Sequence, residues 1–369
     1  MKKMKLLALS LSLATIPAIA TPLIVLTSCS EKLPEITVPE ITQDGTVVIL
    51  ATGGTIAGAG EAGKETGYKP GSISVESLIA SVPGIEEIAP LAAEQVCNIN
   101  SDDMNSKIWM QLARTINACA DDDRVAGIVV LHGTDTMEET AYFLNLVVNT
   151  NKPVVITGSM RPATSISADG PMNLYQSVVV AANKESWGKG VLGVFSDSIF
   201  TARSMQKVSS FDVTAISAGP MGALGFVRNK EVFFYQESTK KHTRGTAFNS
   251  LVDTVAELPA VETIYFQVDA DPSIIDFYQN KPGLVIAGAG AGEFSEAFIN
   301  RLTAYARSGK PVISATRVDN GVITQDSVLV KEAVAANDLP PQKAAVLLRL
   351  AIAINKTSQE DLINFFKIY

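Results

Sequence analysis

Two threonines offer hydroxyl chemistry. Ala51-Thr-Gly-Gly-Thr-Ile-Ala-Gly58 and His132-Gly-Thr-Asp-Thr-Met-Glu-Glu139 each leave an apolar run and present hydroxyls at a turn. A hydroxyl becomes a nucleophile when a neighbouring group takes its proton, and Thr134 stands beside the carboxylate of Asp135. Histidine is scarce, with only His132 and His242 in the chain. A His-rich zinc site is therefore not expected, and no pair of cysteines at short spacing replaces it. A Ser-His-Asp triad could use only His132, whose strand-end position reads as a buried, structural hydrogen-bonding residue. The base must come from elsewhere. Tyr68, in Thr66-Gly-Tyr-Lys69, and Lys184, in Ala181-Ala-Asn-Lys184, are the candidates. Each can accept a proton only if its pKa is lowered, a lysine by desolvation and a tyrosine by a nearby positive charge. Each also has a plainer reading, Tyr68 as an exposed loop aromatic and Lys184 as a helix-end cation favoured by the dipole. Gly53-Gly54 lacks the lysine and the glycine spacing of phosphate-binding loops. Those glycines read instead as a turn that brings Thr55 close to a small ligand.

The elements that must carry these groups are short β-branched runs. Thr46–Leu50 and Ala126–Leu131 read as fully buried strands of a parallel sheet, and in open α/β sheets ligands sit at the carboxyl ends of such strands. Further strands are expected at 154–157 and 191–195, with helices near 105–120, 137–148 and 173–182. The alternation predicts an α/β fold: a larger N-terminal parallel-sheet domain, 46–256, and a smaller C-terminal α/β domain, 257–369. The polar stretch 236–247 has no apolar periodicity and reads as the start of a linker that closes near Ala256. Beyond it, strands are expected at 261–267, 283–287 and 311–315, with helices at 295–307 and 342–354.

At 369 residues the chain exceeds the size at which one core keeps growing, and its 47% apolar content suffices for two. Met1-Lys-Lys-Met-Lys5 followed by the uncharged run Leu6–Leu26 has the form of an export signal, assigned to residues 1–28. Leu26-Thr-Ser-Cys29 resembles the lipobox of bacterial lipoproteins, in which Cys29 would carry the lipid anchor. Cleavage after Ala18-Ile-Ala20 and an uncleaved membrane anchor compete with that reading. All three place the protein outside the cytoplasm, periplasmic or as a membrane-anchored lipoprotein, with 29–45 as a tether containing Pro34 and Pro39. The formal net charge of −8 becomes more acidic once Lys2, Lys3 and Lys5 leave with the signal. An acidic body argues against nucleic acid as a partner. Cys97 and Cys119 are read as buried free thiols rather than a disulfide.

The chain resembles the bacterial type II L-asparaginases and the related glutaminase-asparaginases. The resemblance rests on the two threonine motifs together with Ser101-Asp-Asp-Met-Asn105, Met160-Arg-Pro162, Ser167-Ala-Asp-Gly-Pro171, Thr324-Gln-Asp326 and Pro341-Gln-Lys343, and it runs from about Thr46 to Tyr369. It implies that Thr55 attacks the side-chain amide and forms a β-aspartyl ester, with Tyr68 assisting. Thr134, Lys184 and Asp135 would form a second hydroxyl, amine and carboxylate group. Ser101 would hold the substrate α-carboxylate, Asp102 and Asp135 its α-ammonium, and the Ser159 carbonyl its amide nitrogen. The resemblance implies no metal or organic cofactor, and a homotetramer whose active sites are completed across a dimer interface. Three positions depart from the family pattern: Asp102 stands where Gln or Glu is general, Ala291 where Asn is common, and Val328 near a frequent Glu. The expected activity is hydrolysis of L-asparagine to L-aspartate and ammonia. The alternatives are a dual glutaminase-asparaginase and an amino-acid-binding lipoprotein without catalysis.

Overall fold

The computed structural model describes residues 33–60, 69 and 71–369. The signal segment, Cys29 and Tyr68 lie outside the described residues. The first strand, β1 (Thr46–Gly53), is buried at every position, as a β-branched run flanked on both faces requires. It pairs in parallel with β2 (Leu91–Ile99) on one side and β3 (Val125–Leu131) on the other. β4 (Val154–Thr157) and β5 (Val191–Phe195) continue the parallel run beyond β3. Because β2 and β3 lie on opposite sides of β1, the chain reverses its direction across the sheet there. Such a switch point opens a crevice at the strands' carboxyl ends.

The parallel run expected from the sequence is extended at its far edge by antiparallel strands. β6 (Ser198–Thr201), β9 (Gly225–Arg228) and β10 (Glu231–Phe234) add to β5 in antiparallel register, giving a mixed eight-stranded sheet of order β10-β9-β6-β5-β4-β3-β1-β2. The cause is local. Ser196 and Asp197 both take positive φ, 47° and 68°, and form a two-residue hairpin that folds β6 straight back on β5. Between β6 and β9 lies a short antiparallel pair, β7 (Gln206–Lys207) and β8 (Ile216–Ser217).

The helices α1 (Val75–Ala80) and α4 (Gly170–Ala182) cover one face of the large sheet, and α2 (Ser106–Asp121) and α3 (Met137–Val147) the other. Strand alternation divides the apolar side chains between them. Val47, Ile49 and Val129 join the first core, while Val48, Leu50, Ile128 and Val130 join the second.

A four-stranded parallel sheet follows, ordered β11 (Glu262–Tyr265), β12 (Leu284–Gly288), β13 (Val312–Thr316) and β14 (Val334–Ala335). Its outer face packs on α5 (Ile274–Phe277) and α6 (Glu296–Arg307) through Ile286, Phe298 and Leu302. Its inner face, with Val285 and Ile313, shares a core with α2 and α3 of the larger sheet through α7 (Pro341–Ala353) and α8 (Gln359–Ile368). The sheets are separate, but this core is common to both.

The stretch read as a linker is tied down. Asn249 Nδ2 donates to the carbonyls of Val147, Val148 and Thr243, and Phe248 is fully buried. No helix among the described residues is long and apolar enough to cross a membrane.

Candidate active site

The loops leaving β1, β2 and β3 meet at the switch point, and glycine makes the meeting possible. Gly54 has φ +80°, and a Cβ there would lie 2.4 Å from Cα and N of Gly133. A Cβ on Gly133 would in turn lie 2.7 Å from Ser101 Oγ. Thr55, Gly133 and Ser101 are thereby held in one crevice, Gly54 against the Gly133 backbone and Gly133 against the Ser101 side chain. Thr55 opens a single 3₁₀ turn after β1 and is buried, with a relative exposure of 8%. Ser101 is also buried, and its carbonyl accepts from Thr136 Oγ1 at 2.7 Å, which joins the β2 loop to the β3 loop. Asp102, next along, is exposed.

The β3 loop supplies Thr134 and Asp135. Thr134 is buried, whereas the Asp135 side chain is 64% exposed. The amine beside them is Lys207. Its Nζ donates to Thr134 Oγ1 at 2.9 Å and to Asp135 Oδ1 at 2.5 Å. This corrects the assignment of Lys184. That residue follows the C-terminus of α4, and α4 runs antiparallel to the strands. Its exit is pinned by Gly188 N donating to Asn151 O, just before β4 begins. Lys184 is therefore exposed at the amino end of the sheet, opposite the site. Lys207 gave no sequence signal because it sits in a two-residue strand within a polar stretch without periodicity. The Ala202–Met205 turn that leads into it is legible only once β6 is known to fold back.

On the β4 side, Ser159 is buried with its Oγ donating to Arg161 O at 2.8 Å. Asp169 fixes this loop by accepting from the backbone N–H groups of Met160 and Arg161, both at 2.9 Å. Asn173 Nδ2 donates to Gly158 O, and its Oδ1 accepts from Ser196 N. The loop after β4 and the hairpin after β5 are thus set by one side chain. A cleft of about 500 Å³ opens beside Lys207, with Asp135, Glu138, Glu139 and Tyr265 among its walls. Burial, with Glu138 adjacent, raises Glu139 to about 7.

His132 takes the structural role. It is fully buried, and burial lowers its pKa to about 4. Nδ1 lies 2.7 Å from Gly133 O, an acceptor only, so the proton belongs on Nδ1. Nε2 is then an acceptor, and Thr140 Oγ1 at 2.9 Å donates to it while accepting from Trp109 Nε1. Ala291 lies in the glycine-rich turn after β12 and Val328 in the segment between β13 and β14, both on the smaller sheet. Cys97 and Cys119 are free thiols, and burial pushes them up to about 11 and about 12. Among the described residues, no group of three or more His, Cys, Asp and Glu side chains could hold a metal ion.

Fold and site together define a two-sheet α/β protein with threonine hydroxyls, a lysine amine and a carboxylate gathered at a strand switch point. Comparison with known proteins narrows the class. Residues 46–240 match the family model for the asparaginase N-terminal domain, and residues 260–366 match that for the glutaminase/asparaginase C-terminal domain. The chain is 42% identical over 322 residues to L-asparaginase 2 of Escherichia coli K12, covering 85% of this chain and 90% of that one. It is 38% identical over 321 residues to a glutaminase-asparaginase of Pseudomonas fluorescens, covering 85% and 88%. A crystal structure of a probable cytoplasmic L-asparaginase from Campylobacter jejuni superposes with a TM-score of 0.83 at 38% identity, covering 89% of this chain and all of that one. The chain belongs to the asparaginase family.

Proposed function

We propose that the chain hydrolyses the side-chain amide of L-asparagine to L-aspartate and ammonia, with Thr55 as nucleophile. The Thr55 oxygen adds to the amide carbon, the C–N bond breaks, and the nitrogen leaves as ammonia with the proton it gains. Water then attacks the resulting β-aspartyl ester, and aspartate is released as Thr55 recovers its proton. Tyr68 assists the first proton transfer. Thr134, Lys207 and Asp135 form the second relay, in which the lysine amine links the hydroxyl to the carboxylate and helps to activate water. Ser101 holds the α-carboxylate, Asp102 and Asp135 the α-ammonium, and the Ser159 carbonyl the amide nitrogen.

The observation that carries this reading is Lys207 Nζ, bonded to both Thr134 and Asp135 one loop away from Thr55. Fixed donors at strand ends suit an amide oxygen that gains negative charge during attack. The protein acts after export, as a periplasmic or lipid-anchored enzyme, and as a homotetramer whose sites are completed by a neighbouring subunit.

The test is ammonia release by protein purified from Ser30 onward. Thr55→Ala is expected to lower kcat by about a thousandfold or more while the protein remains folded. Full retained turnover would remove Thr55 from its role. Glutamine is the competing substrate, since relatives include glutaminase-asparaginases. A pocket separates substrates one methylene apart by only about 1–3 kcal/mol, so kcat/KM for the two amides measures the preference directly. Binding of labelled asparagine without ammonia release would favour the non-catalytic alternative.

A further inference from the structure

Lys343 is fully buried, and nothing in the proposed reaction uses it. It is the third residue of α7, in the motif Pro341-Gln342-Lys343, where the positive end of the helix dipole disfavours a cation. Its compensation is specific. Nζ donates to Ala202 O at 3.0 Å, to Arg203 O at 2.9 Å and to Met205 O. The three carbonyls belong to one turn, which is closed on itself by Met205 N donating to Thr201 O at 2.9 Å. Two residues after Met205 stands Lys207.

The preceding residue of the same helix acts on Lys207 by a second route. Gln342 Nε2 donates to Glu138 Oε1, and Glu138 Oε2 accepts the backbone N–H of Lys207 at 2.6 Å. Glu138 is itself buried, on the first turn of α3. A lysine side chain has four rotatable bonds, so its ammonium reaches a fixed point only if its backbone is fixed. β7 is two residues long and cannot provide that alone.

We propose that Lys343 and Gln342 are positioning residues for Lys207, clamping the Ala202–Met205 turn and the Lys207 backbone so that its ammonium meets Thr134 and Asp135. The inference rests on the place given to Lys207 in the proton relay. It assigns a catalytic purpose to the first turn of α7, which belongs to the smaller sheet's half of the chain. A buried charge of this kind is a weak source of stability, but it fixes a turn tightly.

The experiment is a double-mutant cycle on the full protein, with asparagine as substrate and kcat and KM read separately. Lys343→Met is expected to lower kcat by about tenfold or more with KM changed by less than about threefold, because a misplaced relay slows chemistry more than binding. On a Lys207→Ala background the same substitution should change kcat by less than about twofold, since the group through which it acts is gone. Equal factors on both backgrounds would mean a general structural role and overturn the proposal. Lys207→Ala with undiminished kcat would instead sink the relay itself. An inactive Lys207→Ala beside a fully active Lys343→Met would sink only the positioning role. If Lys343→Met does not fold, the cycle is read with Gln342→Met, for which a kcat loss of about threefold confined to the Lys207 background is expected.

Discussion

His132 is separated from Thr134 by a single glycine, yet both its ring nitrogens are committed to Gly133 and Thr140. Its folded pKa, about 4, lies below the ordinary 6.5. The unfolded chain therefore binds the proton first as pH falls. The stability linked to neutral His132 is complete above pH 6.5 and is lost as pH drops toward 4. The shift corresponds to about 3 kcal/mol. Urea unfolding of the protein and of His132→Gln should show their stability difference moving by about that amount between pH 7 and pH 4. Asp102 bears on substrate binding. Its carboxylate is one methylene shorter than the family's usual side chain there, so Asp102→Glu is expected to lower KM for asparagine by about tenfold, the scale of one charge-assisted contact. An unchanged KM would mean that Asp102 does not reach the amine. Thr55, Thr134 and Asp135 were legible in the sequence because each closely follows an apolar strand, whereas Ser101 was marked only by the family resemblance. Lys207 was not, because a long flexible cation can serve a site from any neighbouring segment, and Lys184 differed from it only in tertiary placement.

The strand-end loops depend on Gly54. Any side chain there would meet Gly133 backbone on the adjacent loop, at a φ that L residues rarely adopt. Gly54→Ala should cost about 1–3 kcal/mol from backbone strain alone. Its larger effect should fall on kcat, because separating the β1 and β3 loops moves Thr55 away from Thr134. Thermal unfolding and ammonia release measured on the same sample would separate the two effects. The parallel strands β1, β3, β4 and β5 were legible as continuous β-branched runs. The edge strand β2 is half-buried except at the exposed Gln95 and Asn98, and β6, β9 and β10, four residues each, lack the continuous β-branched run that marks β4 at the same length. The hairpin that reverses the sheet has no glycine at its turn, so nothing in Ser196-Asp197 advertised it.

Across the whole molecule, the smaller sheet's half of the chain grips the larger sheet near the site. Arg203, just after β6, is buried and pairs through Nη1 and Nη2 with Asp338, at 2.5 and 2.7 Å. Its Nε also donates to Tyr369 O at 2.6 Å. Arg203→Met would leave Asp338 half-buried and unpaired, at a cost of about 3 kcal/mol. Denaturant titration should show this as a lower midpoint with an unchanged slope. The shared core explains why the boundary near Ala256, clear in composition, separates sheets but not cores. Apolar periodicity identifies helices; it does not reveal that α7 and α8 fill the space beside α3.

The bonds from Lys343 to the turn before Lys207 span about 140 positions, 141 to Ala202 and 138 to Met205, and Gln342 lies 204 positions after Glu138. Synthesis is vectorial, with the N-terminal part of the chain emerging first. The large sheet and its threonine loops can form early, but the clamp on Lys207 cannot close until the first turn of α7 has arrived. A nascent chain would therefore hold its threonine loops in place without the clamp on Lys207, and the relay would be complete only when nearly the entire polypeptide had cleared the ribosome.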